Sequence, residues 1–413
     1  MTPSLAAPAQ RRGAQKPVSL GMTLLLAVGC GVTAGNIYYA QPLLGLIAPD
    51  IGLSVAAAGL VVTFTQIGYC IGLVALAPLG DLLENRALTV ATLWAAVVAL
   101  LAAALAPSAA ALLAASLLIG LTSVSIQLLL PIAAHLAPEA TRGRTIGNVM
   151  SGLLIGVMLS RPVSSLIADA LGWRAVFACS AAAMASLAIA LRLMLPQRRP
   201  TAVAGYFALI GSLGTLLRET PALRRRTAYQ GALFAAFCLY WTAVPLELAG
   251  PAFGLSQRGI ALFALAGASG ALAAPLAGRI ADRGGGRALT GLSMGVVAIA
   301  FLLAWIGGHG SMAALLAAGV ALDAGVQGNQ VVSQRIVFAL GAEARSRLNG
   351  LYIAMFFTGG AAGSAVASFA YARGGWSAVS AIGLALPLLA LALYATEFLP
   401  RRPAGARVTA ARD

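Results

Sequence analysis

The sequence predicts an all-α membrane protein of twelve transmembrane helices in two pseudo-symmetric six-helix bundles. Three observations predict it. Only 9% of the 413 residues are charged while 60% are hydrophobic, far below the roughly 25% charged residues of soluble proteins. Apolar runs near the ~20 residues that cross a bilayer recur along the chain. The block Asp81-x4-Arg86-Ala-Leu-Thr89 returns half a chain later as Asp282-x4-Arg287-Ala-Leu-Thr290. The runs are rich in Ala, Leu and Gly without strand alternation, which favours helices over an outer-membrane barrel.

Taken in order, apolar runs between charged or Pro/Gly punctuation place first-half helices at 20–47, 55–80, 87–107, 109–136, 145–170 and 174–195. The second half gives 227–250, 257–280, 288–308, 311–338, 348–371 and 376–398. Residues 1–19 and 399–413 are then tails, 20–195 and 227–398 the two bundles, and 196–226 the linker. Arg11, Arg12 and Lys16 before Leu20–Gly35 imitate a secretory signal. No small-residue cleavage site follows, so this reads as an uncleaved first helix. In the linker, residues 206–217 are apolar enough for an interfacial helix; a solvated loop is the alternative.

The net charge is +15, but the basic residues fall in short clusters between apolar runs. They therefore read as topology signals and imply no nucleic-acid partner. With both termini in the cytoplasm, 22 arginines and Lys16 lie on that side, and Arg174, Arg258 and Arg373 fall near the outer side. The positive-inside rule selects this orientation. Cys30, Cys70, Cys179 and Cys238 lie within spans without a CxxC, as free thiols.

The repeat extends beyond its first block. Gly52-Leu-Ser54 matches Gly254-Leu-Ser256, Tyr38-Tyr39 matches Tyr240-Trp241, and Gly172-Trp173 matches Gly375-Trp376. Gln127 falls on Gln330 and Arg144 on Arg347, with every offset at 202 or 203. A parallel repeat of six spans is an architecture used by transporters, with a site near the midplane at the repeat interface.

Gly278-Arg-Ile-Ala-Asp282-Arg283-Gly-Gly285-Gly-Arg287 resembles the loop motif of the major facilitator superfamily, Gly-x-x-x-Asp-Arg-x-Gly-Arg-Arg. The first-half copy keeps Asp81 and Arg86 but departs at Ala77, Leu82 and Glu84. An Asp near a helix N-terminus is favoured by the helix dipole, and the following Arg can pair with it or with the neighbouring bundle. Such a charge network holds one conformation and breaks in another. Topology-setting charge alone would explain the Arg but not the repeated Asp.

The fifth span, Gly147-x8-Gly156-x3-Ser160-Arg161-x2-Ser164-Ser165, resembles the superfamily's antiporter pattern Gly-x8-Gly-x3-Gly-Pro-x2-Gly-Gly, with Arg161 at the Pro position. The eleventh repeats it as Gly350-x8-Gly359-x3-Gly363-Ser364-x2-Ala367-Ser368. Small residues at these intervals let helices approach closely, and the resemblance places these two helices at the interface between halves. The fourth span departs from its family pattern, with Ser116 where an Arg is expected. Arg161 is an intramembrane charge that faces a cavity or partner, or else reaches toward the outer interface.

Asp323 is the carboxylate near the middle of a span, in a polar stretch with Gln327, Asn329 and Gln330. Asp323, Gln327 and Gln330 share a helical face. The Asp reads as a proton-coupling group, a substrate counter-charge or part of a structural polar cluster. In the superfamily, helices one, four, seven and ten line the central path. Helices one and seven contribute Asn36, Tyr38, Tyr39, Gln41, Tyr240, Trp241 and Glu247, aromatics that suit ring-containing substrates or plain packing. His135 and His309 near span ends read as structural.

Asn36–Leu44, Pro78-Leu-Gly-Asp81 and Gly325–Gln330 resemble bacterial efflux-type permeases of the sugar or drug exporter kind. The resemblance implies a monomeric secondary transporter of the bacterial inner membrane, working on a small-molecule substrate with protons within the lipid bilayer. A facilitator or symporter for import is the alternative. A membrane receptor would need a soluble domain or long loop. No Walker motif, paired-His metal site or nucleophile elbow is visible, so neither an enzyme, a cofactor nor a metal is expected.

Overall fold

The computed structural model describes residues 19–200, 205–341 and 345–399. The expected tails, with their cytoplasmic placement, lie essentially outside the described residues. Every regular element among the described residues is helical, and nine of the helices are long and apolar enough to cross a membrane. In the first half these elements are α1 (Leu20–Gly35), α2 (Leu44–Asp50), α3 (Leu60–Ala75), α4 (Asn85–Ala104), α5 (Ala109–Thr122), α6 (Ser125–Leu136), α7 (Arg142–Leu171) and α8 (Trp173–Met194). Then come α9 (Tyr206–Glu219), α10 (Pro221–Ala249), α11 (Gln257–Gly267), α12 (Ala273–Asp282), α13 (Gly286–Gly307), α14 (Met312–Ala339) and α15 (Arg345–Ala395). Gly374 and Gly375 leave helical geometry inside α15, dividing it into the eleventh and twelfth spans.

Several predicted spans are broken, the fourth into α5 and α6 at residues 123–124. The first, expected to run unbroken over 20–47, stops at Gly35, turns through residues 36–40 and resumes through a 3₁₀ segment at Gln41–Leu43. Pro42 supplies no N–H and disfavours helical geometry at Gln41. Ile37, Tyr38 and Gln41 instead donate their amides three residues back, to Ala34, Gly35 and Tyr38. The eighth span breaks at a 3₁₀ segment, Ala268–Leu272, where Pro275 cannot donate to Ala271. The predicted linker is also shorter at its end. Pro221 opens α10 at the first helical position, so residues 221–226 are helical. Tyr206 of α9 donates to the Ala75 carbonyl at 3.0 Å, and Leu213 is buried.

The described residues sort into two compact units. The first contains the chain through Ser54, Leu60–Gly214 and Ser256–Leu265, and the second contains Val55–Gly59, Thr215–Leu255 and the chain from Ala266. The packing pairs repeat. In the first unit α1 packs on α7, α3 on α5 and α4 on α8. In the second, α10 packs on the first arm of α15, the α11–α12 break on α14, and α13 on α15. The backbone repeats too: Gly52 and Gly254, then Gly172 and Gly375, all take positive φ, where L side chains are strained.

Close approach at glycine sets the pairing distances. A Cβ at Gly68 would strike the Leu117 carbonyl, and one at Gly270, its repeat equivalent, would strike that of Val320. Gly156 meets Gly31, Gly359 meets Gly231 and Gly363 meets Ala235, so these glycines serve pairs inside each unit. Gly147 and Gly350 depart from the expectation: nothing lies within 4 Å of where their Cβ would stand.

Gly120 contacts the Thr65 carbonyl in the same way. Gly120→Val is expected to destabilise the protein by about 1–3 kcal/mol through overpacking. Gly143→Ala, with open space around it, should change stability by less than about 1 kcal/mol. Thermal unfolding in detergent checks the pair.

Candidate functional site

In the first unit the polar residues gather at the break in the first span. Arg161 of α7 is 3% exposed and donates through Nε to Gln41 Oε1 at 2.8 Å. Its guanidinium lies over the Tyr38 ring, 5.3 Å from the centroid. The side chain is therefore buried and bonded within the protein. A charge at membrane depth costs about 2.5–3.5 kcal/mol on insertion scales. A charge-assisted hydrogen bond of about 1.5–3 kcal/mol and a desolvated cation–π contact of about 2 kcal/mol are enough to offset it. Pro162 follows Arg161 within the helix, so the proline of the antiporter pattern is displaced by one position.

Asn36, in the same break, accepts from Ser180 of α8 at 2.6 Å. Tyr39 is half-buried and joins Ser160 in lining an apolar groove of about 580 Å³ between α1 and α7. The groove also takes Ile155, Leu159 and Val163. Arg161, two residues from both Leu159 and Val163, points to the opposite side of α7.

The second unit holds an acidic residue on α14, the repeat counterpart of α5. Asp323 is 5% exposed and accepts the Trp241 indole N–H at 2.8 Å. Tyr240 beside it donates to the Leu315 carbonyl at 2.6 Å. The break in the eighth span closes around this pair. A Cβ at Gly270 would stand 2.9 Å from that of Asp323, and one at Gly267 would stand 2.6 Å from the Trp241 ring. Asp323, Gln327 and Gln330 lie at i, i+4 and i+7 of the continuous helix α14, Asp323 buried and both glutamines half-buried. Asn329, fully buried, instead bonds Gln230 of α10 at 2.7 Å. Gln230 carried no signal in the sequence beyond its place on an apolar helix.

The repeat register aligns these charges with small residues. At the offset of 203 that relates Gly156 to Gly359, Arg161 corresponds to Ser364 and Asp323 to Gly120. Neither Arg161 nor Asp323 thus has a charged counterpart in the other half. Each is met by one member of the repeated aromatic pair, Arg161 by Tyr38 and Asp323 by Trp241. The cation meets a π face and the anion meets an N–H, as the ring quadrupole requires.

The loop motifs differ from the expected pairing. Asp81 ends a 3₁₀ turn and Asp282 ends α12, so neither sits at a helix N-terminus. Asp282 pairs with Arg335 of α14, which also donates to the Gly278 carbonyl at 3.2 Å. Arg287 supplies its backbone carbonyl to Tyr394. Gly284, with φ of 84°, makes the turn, whereas Gly285 stays at negative φ and Arg283 is exposed.

In the first half Glu84 caps α4, accepting from the Arg86 and Ala87 amides at 2.9 and 2.8 Å. It also accepts from the Arg198 amide at 3.2 Å, while Asn85 donates to the Arg198 carbonyl and Arg86 to that of Leu195. The departure at Glu84 therefore clamps the root of the linker. Arg226, the last residue of the predicted linker, is buried, bonded to Thr290 at 3.0 Å and placed over Tyr229.

Two repeat-related helical units with charged residues buried at their broken spans define a polytopic membrane transporter. The family model of the Major Facilitator Superfamily matches residues 24–244 and 228–413, and the chain belongs to that superfamily. An uncharacterized transporter of Escherichia coli K12, YgaY, is 38% identical over 91% of this chain and 95% of its own length. The probable transporter SCO4007 of Streptomyces coelicolor is 37% identical over 92% of this chain and 87% of its own. Among solved structures, the nucleoside transporter NupG superposes with a TM-score of 0.71 at 15% identity, covering 91% of this chain and 99% of that one. That likeness concerns the fold.

Burial alone would raise the Glu84 carboxyl. The Ala87, Arg86 and Arg198 amides and the Arg86 charge outweigh it and hold the pKa below the ordinary carboxylate range. A depressed folded pKa stabilises the clamp above the unfolded value and loses it as pH falls through the folded one. Protection of the Arg198 amide from hydrogen exchange, corrected for intrinsic rate, should therefore persist at neutral pH and be lost only as the pH falls below the ordinary carboxylate range. Glu84→Ala should remove it at pH 7 and cost about 0.5–2 kcal/mol of stability through the lost cap.

Proposed function

We propose that this superfamily member is a proton-coupled exporter of small organic molecules, working by alternating access as a monomer in the bacterial inner membrane with both termini cytoplasmic. The observation that carries the reading is Asp323, a buried carboxyl on a spanning helix, bonded to Trp241 and enclosed by a broken span. An ionisable residue at that depth is a functional group by default. Loading a proton removes its charge and the cost of keeping that charge from water, which gives the second unit two states of different energy. The glycine pattern of α7 and α15 supports the antiport direction. The Asp282–Arg335 pair serves as an inner-face latch that breaks and re-forms through the cycle, and Asp81 plays the lesser part because its loop is tied to the linker.

Flux measured in proteoliposomes with and without a pH gradient tests this. Asp323→Asn should abolish gradient-driven transport, and undiminished proton dependence in that variant would rule the coupling role out. Asp282→Ala is expected to slow transport more than Asp81→Ala. Equal or reversed effects would reject the latch assignment.

A further inference from the structure

A second cavity, of about 180 Å³, lies in the first unit where the linker leaves it, and the transport reading makes no use of it. Three span ends enclose it: Asn85 opens α4, Leu136 closes α6 and Leu195 follows α8. Its polar lining is Asn85, His135, Gln197 and Arg198.

Arg198 springs from a fixed point. Its amide donates to Glu84 Oε1 at 3.2 Å, and its carbonyl accepts from the Asn85 amide at 2.9 Å. With the backbone held on both sides of its Cα, its guanidinium loses less freedom on taking a ligand than a loose surface arginine does. Asn85 belongs to the wall, since its side-chain amide donates to the Gly80 and Leu83 carbonyls at 2.9 and 3.1 Å. His135, Gln197 and the Arg198 guanidinium remain as the donors of the lining.

The charge at this corner is positive. Arg198 and Arg142, the first residue of α7, both act electrostatically on His135. Neither arginine belongs to an ion pair among the described residues. Glu84, the acid of the clamp, is already engaged by three amides and the Arg86 charge. Like charges gathered without a counter-ion repel, and an anion among them removes that cost.

Guanidinium, imidazole and amide donors supplied by α6 and the linker suit a group with several acceptor oxygens, and a phosphate has them. Basic pockets between helix ends on the cytoplasmic side of membrane proteins take phosphate head groups. In the orientation proposed above, this end of the unit faces the cytoplasm. We propose that the pocket is a phosphate-binding site, with Arg198 and His135 as its donors, and that its occupancy tightens the linker root. The phosphate comes from a lipid head group or from a free phosphate in solution. Such a site is independent of the transported molecule and of Asp323.

Thermal unfolding of the full-length protein in a maltoside detergent at pH 7 tests it. The additions are inorganic phosphate, potassium chloride at matched ionic strength, phosphatidylglycerol, and phosphatidylcholine as the lipid without net charge. A phosphate source should raise the unfolding temperature saturably, with chloride and phosphatidylcholine ineffective. Stabilisation by inorganic phosphate identifies the free group as sufficient, and stabilisation by phosphatidylglycerol alone identifies a head group. In Arg198→Gln, which keeps the backbone clamp, the half-saturating concentration should rise about tenfold or more, the loss expected for a charged hydrogen bond. Arg224→Gln, at an exposed arginine of the second unit, should leave it unchanged.

No stabilisation by either phosphate source, equal stabilisation by chloride or phosphatidylcholine, or an equal rise in Arg224→Gln would overturn the proposal. So would an unchanged midpoint in Arg198→Gln. If that variant does not fold, His135→Ala decides in its place, with weakened binding expected and an unchanged midpoint fatal.

Discussion

Helices here approach until backbone touches backbone, and the architecture of each unit follows from that. At Gly68 and Gly120 the third and fifth helices leave no room for a methyl group, and Gly270 repeats the contact against α14. Between helices in lipid there is little hydrophobic gain, so association depends on such close packing and on interhelical hydrogen bonds. Once the pairs are seated, the polar groups have few places to go. Asp323 is pressed against Gly270, and Trp241 against Gly267, because α14 and α10 already lie at contact distance from the eighth span. Polar chemistry is placed by apolar geometry.

That dependence divides what the sequence could reveal from what it could not. Hydropathy and the internal repeat disclosed the fold, because both are properties of single segments: Gly52 and Gly254 read as equivalents in the chain and share a left-handed backbone in the structure. The aromatic pairs at residues 38–39 and 240–241 were visible for the same reason. The partners of the charged residues were not. Arg335 lies far along the chain from Asp282, and only the packing of α12 beside α14 makes it the counter-ion. Glu84 read as a defect in a motif until its carboxylate was found at the start of α4 and on Arg198. Pro42 and Pro275 stood in the sequence as break signals, yet proline is common in spanning helices and marks a kink as often as an interruption.

The two buried charges show how one scaffold accommodates opposite signs. Tyr38 offers the face of a ring to a guanidinium, while Trp241 offers the edge of one to a carboxylate. Exchanging tyrosine for tryptophan at the adjoining position supplied an N–H aimed at the acid. Neither charge required a new backbone, only different substituents on helices already paired. The breaks in the first and eighth spans leave each cluster beside segments where the regular hydrogen-bond ladder is interrupted, the natural place for local movement.

The divergence at residues 120, 161, 323 and 364 also bears on the history of the chain. When two copies of a six-helix ancestor were first joined, either could have served in the other's place. A guanidinium now belongs to one copy and a carboxyl to the other, with serine and glycine in the vacated positions. The two halves have ceased to be interchangeable at these positions, and each is now a distinct part of one chain.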